Sequence, residues 1–103
     1  GTPVYYENFP ILSYKAAEWL SRFRLKGIGL DAISIDKVGS ENLPNHRLFL
    51  EKEILIIENL CNLDQVKQKN FTFQCFPLAI TDADGSPVRA AAFWEEEIQS
   101  FFL

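Results

Sequence analysis

Apolar side chains recur through "SYKAAEWLSRF" at Ala16, Trp19, Leu20 and Phe23, the three-and-four spacing of one helical face. Ser13 stands before the run as a candidate N-cap, and Lys26 with Gly27 reads as a cationic last turn and a stop. The spacing predicts a helix between those points. At Gly27 the pattern changes. "GIGLDAISID" is β-branched and almost continuously apolar, broken by Asp31, and predicts a buried strand with Ser34 and Asp36 at its far end. A polar loop over 37–45 follows. "HRLFL" then supplies one or two helical turns, Glu51-Lys52-Glu53 a charged break, and residues 54–57 a second strand.

Beyond it, "NLDQV" predicts another short helical turn. "FTFQCFPLAI" predicts a strand that alternates from Phe71 to Cys75, with Pro77 marking an edge, a bulge or a strand start. Asp82-Ala83-Asp84-Gly85 reads as a plain turn, since the spacing of a calcium loop is absent. "PVRAAAFW" returns as the last strand. Residues 1–12, with Tyr5, Tyr6, Phe9 and Pro10, read as a connecting segment. Phe101, Phe102 and Leu103 are too apolar to hang free and are expected to pack on the core or on another subunit.

A helix feeding directly into a strand is half of a βαβ unit, so the element order predicts an α/β fold. Strands this apolar need cover on both faces, and one main helix supplies too little. Either the chain packs against copies of itself, as a homo-oligomer, or a partner segment is missing.

At 103 residues the chain has the length of a single domain, 1–103. Its 48% apolar and 23% charged residues exclude wholesale disorder. Fourteen acidic against ten basic residues leave a net charge of -4 with no basic stripe, which excludes nucleic acid as the expected partner. No apolar run approaches the roughly 20 residues of a membrane span. No signal peptide opens the chain, and Gly1-Thr2-Pro3 looks like an arbitrary start. Cys61 and Cys75 sit among apolar neighbours and read as two buried thiols of a cytoplasmic protein; nothing in their spacing requires a disulfide. Two cysteines and one unclustered histidine also argue against structural zinc.

Candidate chemistry concentrates in "NHRLFLEKEILIIENL". It holds the only histidine, His46, and a glutamate, Glu58, at the end of an apolar strand. A carboxylate among Ile and Leu costs several kcal/mol without a partner, so a cation, a metal or donors are expected beside it. The end of a strand is also where open α/β sheets place ligand sites. On one straight helix the twelve positions between them would span about 18 Å. The charged break allows a reversal that brings them together. Imidazole with carboxylate suits Zn²⁺ or Mn²⁺, although two ligands alone hold a metal poorly. Ser34 and Asp36 are substrate-pocket candidates, with the alternative for Asp36 of a capped strand end whose carboxylate is solvated. Asp31 is expected to pair with a buried donor. Arg89 pairs with one of these acids or crosses a subunit interface.

"FPILSYKAAEWL", "GIGLDAISID", "NHRLFLEKEILIIENLCNLDQV" and "FPLAITDADGSPVRAAAF", in that order, resemble the C-terminal half of the bacterial cyclase-like metal-dependent hydrolases. That family includes kynurenine formamidases and isatin hydrolases. The resemblance covers roughly residues 9–93 and is most specific in "GIGLDAISID" with "DGSPVRA". It implies a mixed sheet of the swivelling β/β/α type and a divalent metal, Zn or Mn, held in part by His46 and Glu58. Glu58 is implied to orient a metal-activated water that attacks a small-molecule amide, formamide or lactam C–N bond. The family's N-terminal His-x-Gly-Thr-His-x-Asp motif cannot be present in a chain with one histidine. The resemblance thus implies a fragment that lacks its N-terminal half and has little activity alone. The rival expectation is a non-catalytic, self-associating or small-molecule-binding α/β module.

Overall fold

Ser13 opens the first helix as its position predicts. Its Oγ accepts the Ala16 N–H at 3.3 Å, and α1 runs Tyr14–Leu20. The helix stops well short of Lys26. The Ser21 hydroxyl donates to the Glu18 carbonyl at 2.8 Å, and the Ser21 carbonyl, which would continue the helix, instead accepts from Lys52 Nζ at 3.2 Å. A cation from elsewhere in the chain closes the carbonyl end, a tertiary cap that local spacing does not reveal.

The computed structural model describes residues 7–95 and 99–103, with residues 99–102 described by backbone alone. The expectations for Tyr5 and Tyr6, and for the packing of Phe101 and Phe102, lie outside what is described. The chain divides into two compact units, Gly1–Leu60 and Cys61–Leu103.

In the first unit, β1 (Gly27–Gly29) pairs in parallel with β2 (Leu55–Ile57), with Gly27 opposite Leu55 and Gly29 opposite Ile57. Between them runs α2 (Pro44–Glu51), completing the βαβ unit. Backbone bonds from Leu30 to Ile57 and from Leu60 to Leu30 carry the pairing on. Gly29 permits a close approach here: a Cβ at that position would lie 2.7 Å from Leu60 Cδ1. The strand predicted over 27–36 is therefore short, because the chain bends from Asp31 onward and Ser34 Oγ accepts the Asp36 N–H at 3.1 Å. Asp31 consequently lies exposed rather than against a buried donor.

Helix α2 has about the two turns expected but begins two residues before His46. Pro44 at its first position suits a fixed φ, and Phe49 buries completely against Ala17, Ile35 and Ile54. Phe49, Ile35 and Ile54 are the largest fully buried side chains, and each such burial contributes about 1.5–3 kcal/mol. Leu12, Leu20, Ile28 and Leu48 pack around them. Asn45 ties three segments together from within: its Nδ2 donates to the Leu12 carbonyl at 2.8 Å and to the Ile35 carbonyl at 3.0 Å.

The second unit contains a 3₁₀ turn (Leu63–Gln65), near the predicted place, and an antiparallel sheet in the order β3-β4-β5. These strands are Thr72–Pro77, Val88–Trp94 and Gln99–Phe102. Pro77 ends the edge strand β3, where no ladder donor is needed. Ala90, Ala91 and Ala92 are buried in the central strand, whereas Phe76, Leu78 and Ile80 are more than half exposed. Arg89 is exposed on β4. Both cysteines are free thiols; Cys61 is exposed and Cys75 half-buried, which overturns the expectation of two buried thiols. Cys61 lies in a connecting segment, outside any strand that would cover it. The α/β class expected from the sequence holds. Its parallel and antiparallel pairings occupy separate sheets, and among the described residues two helices of similar length take the place of one main helix.

Asn45→Ala leaves two buried carbonyls without donors, each a loss of about 1–3 kcal/mol. Chemical denaturation should show a destabilisation of about 2–4 kcal/mol. An unchanged midpoint would mean these bonds do not hold the segments together.

Candidate functional site

Helix α2 begins without a local cap. Leu43 at its N-terminus takes a left-handed backbone (φ 39) and offers no side-chain acceptor, so the first N–H groups of the helix need one from elsewhere. Asp36 supplies it. Its Oδ1 accepts the Asn45 N–H at 3.0 Å and its Oδ2 the His46 N–H at 2.9 Å. The same Oδ2 lies 2.9 Å from His46 Nδ1. The carboxylate thus holds both the backbone and the ring of one residue.

On the other edge of that ring, Nε2 lies 3.4 Å from Glu58 Oε1. Glu58 follows β2 directly, and its Oε1 accepts the Ile35 N–H at 2.9 Å. The bend after β1 serves both groups: Ile35 orients the glutamate through its N–H, and Asp36 orients the histidine. The side chains of His46 and Glu58 are about one-quarter exposed, 25% and 26%, against 3% for Asp36. The fold therefore brings His46 and Glu58 together although they stand twelve positions apart.

Asp36 is not the solvated strand end offered as one reading of it. The start of α2 packs over its carboxylate and removes it from water. Ser34 shapes the bend through its hydroxyl and is half-buried. Asn45 and the Ile35 N–H were not among the candidates read from the sequence. The available signal was indirect, since a helix opening at Leu-Pro with no capping residue must find its acceptor at a distance.

The donor set fits a divalent cation. Tetrahedral ligands at about 2.1 Å from an ion stand about 3.4 Å apart, the separation of Nε2 and Oε1. A charge-assisted hydrogen bond between the same atoms is shorter, about 2.7–2.9 Å. Among the described residues no group of three or more metal-ligating side chains gathers at one point.

No family model matches the chain. It is 37% identical over 84 residues to the kynurenine formamidase of Bordetella avium, covering 82% of this chain and 40% of that protein. The kynurenine formamidase of Bacillus cereus is 39% identical over 84 residues with the same coverage. A solved structure described as a potential metal-dependent hydrolase with cyclase activity superposes with a TM-score of 0.70 at 28% identity, covering 80% of this chain and 40% of that one. The chain spans about 40% of the length of these relatives. Sequence and fold together bear out the resemblance read from the motifs, and coverage of that size fits a C-terminal half. Among the described residues no helix is long and apolar enough to cross a membrane.

Burial pushes the Asp36 carboxyl up, but the His46 N–H, the His46 ring and the Asn45 N–H outweigh it and hold the group below the usual carboxylate range. A depressed folded-state value stabilises the fold above the unfolded value of about 3.9. That stability disappears as pH falls through the folded value. Asp36→Asn should be less stable at neutral pH, and its denaturation curve should converge on that of the wild type in acid. Parallel stability profiles from pH 7 to about 3 would rule this out.

Proposed function

We propose that this chain, a relative of the bacterial kynurenine formamidases, supplies two metal ligands, His46 Nε2 and Glu58 Oε1, to a cyclase-type hydrolase. The reaction is cleavage of the C–N bond of a small-molecule amide, formamide or lactam. The observation that carries this reading is the 3.4 Å edge between an imidazole nitrogen and a carboxylate oxygen, the ring held through Nδ1 by Asp36 and the facing Oε1 itself held by the Ile35 N–H.

When bound, a divalent metal, Zn or Mn, would bring the pKa of a bound water toward about 7 and polarise the substrate carbonyl. The chain's own residues do the rest of what is assigned here. His46 is fixed in the first turn of α2, so its ring keeps its place without a change of rotamer. Glu58 is clamped at the end of β2 by the Ile35 N–H, which leaves the carboxylate set to orient a water and to accept its proton. Their partial exposure keeps the edge between them open to substrate.

A catalytic zinc usually takes three protein ligands. The others are assigned to the part of the relatives' length that this chain does not span. The exposed Phe76, Leu78 and Ile80 of the second unit support burial against further polypeptide, whether a second copy or such a part. The same exposed residues favour a second reading, a self-associating module without catalysis. Native mass spectrometry separates the two: metal-free assemblies of the wild type support the module, and metal-bearing ones the hydrolase.

With Zn²⁺ titrated calorimetrically into the wild type, His46→Ala and Glu58→Gln should each weaken binding roughly tenfold or more. Equal affinity in wild type and variants would remove the ligand assignment. Mixed with a separate polypeptide carrying the N-terminal half of a relative, the wild-type chain should restore formamide hydrolysis and Glu58→Gln should not. Restoration by both would show that Glu58 does not take part.

A further inference from the structure

We propose that Asp36 is the positioning residue that sets the tautomer of His46, holding the proton on Nδ1 and leaving the Nε2 lone pair directed at Glu58. Asp36 is buried, at 3% exposure, and both of its oxygens are engaged: Oδ1 by the Asn45 N–H, Oδ2 by the His46 N–H and by Nδ1. An ionised carboxylate only accepts, so the 2.9 Å contact with Nδ1 requires the hydrogen on Nδ1. A neutral imidazole carries one such hydrogen, and Nε2 is then bare.

The opposite tautomer fails on the buried edge of the ring. Its Nδ1 lone pair would meet Oδ2 at 2.9 Å, acceptor against acceptor in a site shielded from water. Its Nε2–H would point at Glu58 Oε1 and close the edge with a hydrogen bond. In the favoured tautomer two acceptors face each other across 3.4 Å, an arrangement that a shared cation satisfies. Oδ2 also accepts the His46 backbone N–H, so the carboxylate that meets the ring also holds the backbone that carries it. Carboxylate–imidazole pairs commonly fix metal-binding histidines in this way. The last step, toward the cation, rests on the reading of His46 and Glu58 as ligands; the tautomer does not.

The chain holds a single histidine, so a long-range ¹H–¹⁵N correlation spectrum of the labelled, metal-free protein contains one imidazole. At a pH where the ring is neutral, the wild type should show a protonated Nδ1 and a bare Nε2. A protonated Nε2 overturns the proposal, and this needs no variant. Asp36→Ala should shift the population to Nε2–H and weaken Zn²⁺ binding, followed on the same signals, by roughly 10–100-fold. Retention of Nδ1–H in folded Asp36→Ala also overturns it. A tautomer that shifts while Zn²⁺ perturbs His46 in neither protein leaves the positioning role standing and overturns the metal reading instead.

Discussion

The carboxylate of Asp36 is the constraint on which the first unit depends. A buried carboxylate costs several kcal/mol unless donors surround it, and a helix whose first residue is preceded by an αL leucine has donors without an acceptor. Each defect cures the other. The bend after β1 must therefore lie against the start of α2, because neither is stable apart from that contact. With the bend in place, Ile35 enters the core beside Phe49, and Asn45 reaches back to the carbonyls of Leu12 and Ile35.

That one contact also explains why the candidate site is preorganised. His46 reaches it from the first turn of a helix and Glu58 from the end of a parallel strand, two elements that meet only because the βαβ unit returns beside β1. Each side chain is braced by the bend after β1: the His46 ring through Nδ1 by Asp36, and the Glu58 Oε1 that faces it by the Ile35 N–H. The open edge between them is thus set by the backbone more than by side-chain rotamers. Exposure is graded in the same sense. The brace is dry and the facing pair is within reach of solvent, the division of roles expected of a supported ligand pair.

The second unit follows a different logic. Its antiparallel sheet hides three consecutive alanines in its central strand while Phe76, Leu78 and Ile80 face outward. Apolar surface of this kind on a chain spanning about 40% of its relatives is consistent with burial against polypeptide beyond it.

Much of the molecule was legible in its residues. Ser13 marked the first helix, the change of period at Gly27 marked β1, and turn chemistry around Asp82-Gly85 separated β3 from β4. The α/β class and the resemblance to cyclase-like hydrolases were present in the order of these blocks. His46 and Glu58 stood out because a lone histidine and a carboxylate at the end of an apolar run are chemically unusual. Local spacing could not place the end of α1, where Lys52 intercepts the Ser21 carbonyl, nor the exposure of Cys61, since both depend on what packs nearby. Nor could it decide the state of Asp36, for the segment taken alone reads more readily as a solvated strand end. Whether a carboxylate is wet or buried depends on donors distant in sequence, here the N–H groups of Asn45 and His46. Residue type and periodicity therefore determined which elements form and which side chains carry chemistry. The tertiary structure decided which of them face one another, because hydrogen bonds and burial act through space while the sequence orders residues only along the chain.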